Sequence, residues 1–174
     1  MADADEGYLM LETVKQLWPT REKLTGPAIT QAGVIPYAVK DGVAVYLLVT
    51  SRRTGRWIFP KGGCDAGESA PECAAREARE EAGVEGEVTG PAVGFYRDRK
   101  VHPMRRKLIE VAMYPLRVSE QLEDWPEKDE RQRHWATLEE ARKLLTTPGL
   151  FELVERAEEH ILAAHEASGA GHQA

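Results

Sequence analysis

The chain has 174 residues, 42% of them apolar and 30% charged, and carries a formal net charge of −6. That length fits one domain with a real hydrophobic core, and the balance is that of a globular chain. No apolar run approaches the roughly 18–20 residues that span a bilayer, the acidic start Met1–Glu6 lacks the basic flank of a secretory signal, and the negative charge argues against a general nucleic-acid coat.

In chain order, residues 1–25 read as an N-terminal extension with a short amphipathic helix over Tyr8–Trp18, ended by Pro19. The main domain is expected over residues 26–167. Gln31–Val39 and Val43–Thr50 are β-rich runs joined by Asp41-Gly42, a strong hairpin signal. A basic loop, Ser51–Gly55, leads to a short strand at Trp57–Phe59 and a turn at Pro60–Gly63. Ser69-Ala70-Pro71-Glu72 is a capping box, so a helix starts there, runs to Ala82 and stops at Gly83. Strands are expected over Glu87–Arg97, Lys107–Val118 and Arg133–Ala136. Helices should open at Thr137–Ala141 and span Leu150–Glu166, before a flexible tail at residues 168–174. Strands and helices mix without regular βαβ alternation, so the fold class is α+β.

The two cysteines, Cys64 and Cys73, have no partners at zinc-ligand spacing and are expected to be reduced thiols. With no export signal in view, the expected location is the cytoplasm.

The helix from Ala70 carries the chemistry. Glu77, Glu80 and Glu81 stand at i, i+3 and i+4 and crowd one face. Like charges so spaced repel by a few tenths of a kcal/mol per pair, and a divalent cation reverses the sign. Hard oxygen ligands favour magnesium, with manganese as the alternative, over zinc. Ala70, Ala74, Ala78 and Ala82 repeat every fourth position and form a second, small face for close packing on a sheet. Glu72 is placed to pair with Arg76 at i+4. Composition alone favours a solvated acidic helix; the glycine turn before the cap and the fixed spacing shift the balance to a metal site.

This segment resembles the Nudix box, Gly-x5-Glu-x7-Arg-Glu-U-x-Glu-Glu-x-Gly-U with U a bulky apolar residue. Gly62, Glu68, Arg76, Glu77, Glu80, Glu81, Gly83 and Val84 fall in place, and Ala78 departs by being smaller than the usual residue at U. The resemblance implies an α/β/α sandwich around a mixed sheet, with a catalytic loop and helix. It implies that Glu80 and Glu81 ligate the metal, that Glu77 ligates it or acts as general base, and that the Lys61 carbonyl completes the shell. Glu68 and Arg76 would form an ion pair holding loop to helix. The implied reaction is attack of water on a phosphorus of a pyrophosphate.

Basic segments outside the box bear on the substrate. Arg97, Arg99, Lys100, Arg105, Arg106 and Lys107 surround His102, Arg52, Arg53, Arg56 and Lys61 precede the box, and Arg131 and Arg133 precede Trp135. Such loops beside a carboxylate–metal centre suit a ligand with many phosphates. Ser51-Arg52, Arg56-Trp57-Ile58-x-Pro60, Arg99-Lys100-x-His102, Glu123-Asp124-Trp125 and Arg131-x-Arg133-x-Trp135 are similar to diphosphoinositol polyphosphate phosphohydrolases, many of which also take diadenosine polyphosphates. The likeness covers about Ala32–Leu145, and Lys61 departs from it, standing where that subfamily has glycine. The basic segments together with this likeness point to substrate contacts from Arg52, Arg53, Arg97, Arg99, Lys100, His102, Arg131 and Arg133, and Lys61 adds a further cation near the phosphates. Tyr37, Phe95, Tyr96 and Trp135 are candidates to stack a base, and Glu127, Asp129 and Glu130 are candidates for a further acid. The expected partner is a small-molecule polyphosphate, bound by a monomer or a homodimer. Two other readings remain: hydrolysis of nucleoside triphosphates or RNA 5′ ends, and a Nudix-like domain that binds without catalysis.

Overall fold

A computed structural model describes the backbone over residues 31–102 and 105–170, and the side chains over 31–97 and 109–167. The N-terminal extension with its expected helix, and residues 171–174 of the tail, lie outside the described residues.

Strands β1 (Gln31–Lys40) and β2 (Val43–Thr50) form the expected hairpin, with Tyr37 opposite Tyr46. Its turn places Asp41 at φ 52° and Gly42 at φ 75°. Paired positive φ values match the right-handed twist of the flanking strands, and Asp and Gly tolerate them best. Strands β3 (Trp57–Ile58) and β4 (Lys61–Gly63) follow, β3 on β2 and β4 antiparallel to the start of β1.

The strand expected over Glu87–Arg97 is two strands, β5 (Val84–Val88) and β6 (Gly94–His102). Pro91 lies between them and has no amide hydrogen for a ladder. Strand β7 (Arg105–Gln121) outruns its expected length because it serves three partners in succession. Residues 105–113 face β6, 111–117 face β1 and 116–121 face β5. The β1–β7 pair is parallel and the others are antiparallel, so the sheet is mixed, in the order β3-β2-β1-β7-β5, with β8 (Arg133–Thr137) beside β2.

Alternation in β2 assigns the layers. Ala44, Tyr46 and Leu48 pack toward helices α2 (Leu138–Leu144) and α3 (Leu150–Ala170), with Leu150, Leu153, Val154, Ala157 and Ile161. Leu47 and Val49 face the other way, with Ala32 and Val34, onto Cys73, Ala74, Ala78 and Ala82 of α1, the helix starting at Ala70. Each buried Leu or Val contributes about 1.5–3 kcal/mol. Helices cover both faces of the sheet, which is the expected sandwich. Helix α2 opens where expected, on a capping box: Thr137 Oγ1 accepts from the Glu140 amide at 3.3 Å, and Glu140 accepts from the Thr137 amide at 2.8 Å.

Candidate active site

The site is built from the loop after β4 and from α1 (Ala70–Glu77), whose last turn, Ala78–Ala82, is wound as a wider π turn. Glu72 accepts from the Ser69 amide at 3.0 Å and from its hydroxyl at 2.6 Å, completing the box at the helix start. The expected Glu72–Arg76 pair therefore does not form. The loop draws Arg76 elsewhere: its guanidinium donates to Glu68 Oε1 at 2.9 Å and to the Gly63 carbonyl at 2.8 Å. The Glu68–Arg76 pair is thus present, and Arg76 also reaches Glu77 at 2.9 Å and Glu80 at 3.3 Å. Hydrogen bonds from Arg76, with the Asp65 amide second, hold the Glu68 carboxyl below its ordinary pKa.

The expectation of free thiols is corrected here. Cys64 and Cys73 are joined by a disulfide. The loop folds back over the second turn of α1 and brings their Cα atoms to 5.1 Å, within bridging range. Local spacing in a sequence does not reveal such a return of the chain.

The π turn ends at Gly83, which takes φ 61°, the left-handed stop anticipated from the sequence. Wider winding leaves Glu77 and Glu81 closer in register on the buried side, at 8% and 7% exposure, and turns Glu80 toward solvent. Gly62 is required beside Glu77, because a Cβ there would lie 2.0 Å from Glu77 Oε1. Burial raises the Glu77 pKa against the opposing pull of Arg76. Burial also pushes the Glu81 carboxyl up to about 7, against Arg131 and the Lys61 amide. That amide donates to Glu81 Oε2 at 3.0 Å, and Arg131 donates to Glu81 Oε1.

These groups share a cleft of about 590 Å³. Its lining combines the carboxylates of Glu77, Glu80, Glu81 and Glu127 with the cationic residues Arg52, Arg53, Arg56 and Lys61, and Arg52 pairs with Glu127 at 3.2 Å. Among the acids downstream of the box, Glu127 is brought to the cleft, and its amide donates to the Glu80 carbonyl at 3.2 Å. Glu130 instead pairs with Arg52 at 3.1 Å. Carboxylate oxygens, two of them on residues destabilised as anions by burial, suit a hard divalent cation such as magnesium or manganese. Glu77, Glu80 and Glu81 are the residues that would hold it.

The basic residues expected at the substrate divide into groups. Arg52, Arg53 and Lys61 are in the cleft. Arg131 is in its wall, but buried and bound to Glu81, Glu127 and the Thr50 carbonyl. Arg133 is outside the cleft lining: it donates to the carbonyls of Ala82 at 3.1 Å and Leu122 at 2.8 Å and stacks on Trp125 at 3.9 Å. It caps the end of α1. Arg97 is also outside the lining and lies 3.6 Å from buried Glu110. Arg99, Lys100 and His102 have backbone in β6, and their side chains lie outside the described residues. Of the aromatic candidates, Tyr37 and Tyr96 are buried in the same core beneath α2 and α3, and of the two only Tyr96 also lines the cleft; Trp135 packs on the α1 side of the sheet, bonded to Gln121 at 2.8 Å. Phe95 is half-buried on β6, outside the lining.

The NUDIX domain model matches residues 29–157. The chain belongs to the Nudix family. It is 37% identical over 127 residues to Nudix hydrolase 21, chloroplastic, of Arabidopsis thaliana, covering 71% of this chain and 63% of that one. It is 38% identical over 103 residues to human diphosphoinositol polyphosphate phosphohydrolase 3-alpha, covering 58% and 59%. The chain spans 63% and 62% of the first two curated relatives' lengths. Among solved structures, a C. elegans Ap4A hydrolase binary complex superposes with TM-score 0.58 at 22% identity, covering 78% of this chain and 99% of that one. The NUDIX domain of Shewanella oneidensis NrtR, complexed with ADP ribose, gives 0.60 at 15% identity, covering 86% and 97%. These two likenesses concern the Nudix fold.

Proposed function

We propose that this chain is a metal-dependent pyrophosphohydrolase that cleaves a phosphoanhydride by water attack, on diphosphoinositol polyphosphates or diadenosine polyphosphates. One observation carries this reading: a cluster of carboxylates, with Glu77 and Glu81 buried, lines the same cleft as Arg52, Arg53 and Arg56. The carboxylates suit a hard cation and the arginines suit phosphate oxygens. When bound, magnesium would neutralise phosphate charge and acidify water.

The protein supplies the rest. Arg52, Arg53 and Arg56 hold the polyphosphate and set which phosphorus meets the carboxylates. Arg52 must first release Glu127 and Glu130, but those pairs are partly exposed and worth about 1 kcal/mol or less. Glu77, buried and raised in pKa, or Glu127, which lines the same cleft, is placed to accept the proton of the attacking water. The inositol branch is supported by the relative at 38% identity and by the clustering of arginines. A cytoplasmic location remains part of the proposal.

The test is a screen with magnesium of diadenosine tetraphosphate, a diphosphoinositol polyphosphate, nucleoside triphosphates, ADP-ribose and 5′-triphosphate RNA. Turnover is expected to favour the first two. Glu80→Gln and Glu81→Gln are expected to abolish turnover and to leave the far-ultraviolet circular dichroism unchanged. Preference for ADP-ribose removes the substrate assignment. Near wild-type turnover in either variant removes the assignment of the site.

A further inference from the structure

Sequence reading places Arg131 among the substrate contacts, and the structure gives it other partners. Its side chain is 5% exposed. Nη1 donates to the Thr50 carbonyl at 2.9 Å, Nη2 to Glu81 Oε1, and Nε to Glu127 Oε2. Three donors thus reach three elements: the end of β2, the π turn of α1, and the turn before β8. That last turn is itself docked on α1, with the Glu127 amide on the Glu80 carbonyl, and closed by the Arg131 amide on the Glu127 carbonyl at 3.1 Å. A fork of fixed planar geometry can hold two carboxylates and a carbonyl at once, which an ammonium cannot.

We infer that Arg131 is a positioning residue, which fixes Glu81 and Glu127 relative to one another so that the carboxylates meet a divalent cation in a preset arrangement. The inference rests on the metal-dependent reading above. Each Glu81 oxygen has one protein donor, the Lys61 amide on Oε2 and Arg131 on Oε1, so its rotamer is set from both sides. A carboxylate oxygen has two acceptor sites, so each keeps capacity toward a cation while so held. Partners of this kind orient metal ligands, and their loss typically lowers metal affinity about 10–100-fold.

The experiment titrates Mn2+ alone into the full-length protein by calorimetry, comparing wild type with Arg131→Met and Arg131→Lys, and then measures kcat and KM for diadenosine tetraphosphate. Both variants are expected to bind Mn2+ at least tenfold more weakly, with kcat reduced at subsaturating metal and KM within twofold of wild type. The lysine variant keeps the buried charge and guards against loss of fold in the methionine variant, so its affinity decides if the latter does not fold. Unchanged Mn2+ affinity with a raised KM would make Arg131 a substrate contact and overturn the inference. Tighter Mn2+ binding would make it a competing counter-ion and also overturn it. If wild type itself binds no Mn2+, the metal-dependent reading fails instead.

Discussion

At Glu81 burial opposes two hydrogen-bond donors, and burial prevails, with the carboxyl held near 7. The linkage has a definite sign. The folded, metal-free protein keeps a proton on Glu81 that the unfolded chain releases above its ordinary carboxylate pKa. Between about pH 4.5 and 7 the native state therefore binds more protons, and stability falls as pH rises. The expected loss is about 3 kcal/mol across that window. Glu77 is shifted in the same direction and adds to it. Thermal melts in chelator at pH 5, 6 and 8 should show a falling Tm, and Glu81→Gln should flatten the profile. A Tm that rises over this range would contradict the burial argument. Magnesium should reverse the trend, since it binds the deprotonated form and affinity grows as pH rises. Gly62→Ala is a second test at this scale: its Cβ would strike the Glu77 carboxylate. It should cost about 1–3 kcal/mol of stability and suppress turnover.

The loop and α1 behave as one stapled element. The disulfide closes a separation of 9 residues, beside the clamp of Arg76 on Glu68 and the Gly63 carbonyl. Closing a loop this short stabilises by about 2–3 kcal/mol, so a dithiol reductant should lower Tm by roughly 5–10 °C. Cys64→Ser/Cys73→Ser should melt at that lower temperature with or without reductant, which scanning calorimetry can check. The far end of α1 depends on Arg133. Arg133→Ala should cost about 1–3 kcal/mol through the lost carbonyl bonds, with KM for diadenosine tetraphosphate unchanged. A several-fold rise in KM at wild-type stability would return Arg133 to the ligand. The box residues were legible in the sequence because their spacing lies within one loop and helix, where local geometry fixes who meets whom. Arg131, Arg133 and the cysteine pair were not, because their partners are set by chain returns that adjacent residues do not encode. The single strand expected over Glu87–Arg97 is two for a related reason: Pro91 divides it, and the pairing needs of β7 decide where each half lies.

At the scale of the whole molecule, the arginines and Lys61 gathered in the cleft matter more for an anionic ligand than the net charge of −6. Arg53→Ala/Arg56→Ala removes part of the cationic lining without replacing a carboxylate. KM should rise about tenfold or more for ligands with long phosphate chains and less for ADP-ribose, and the salt dependence of kcat/KM should weaken. Equal effects on all ligands would show that these arginines do not read phosphate number.

The cleft draws Lys61 from β4, Glu81 from α1 and Arg131 from the segment before β8, around a sheet whose central parallel pair joins Gln31–Tyr37 to Val111–Arg117. Contacts so distant in sequence form late and slowly during folding. A growing chain on the ribosome therefore holds the complete glutamate box long before Arg131 and Thr147 emerge to complete the lining of the cleft.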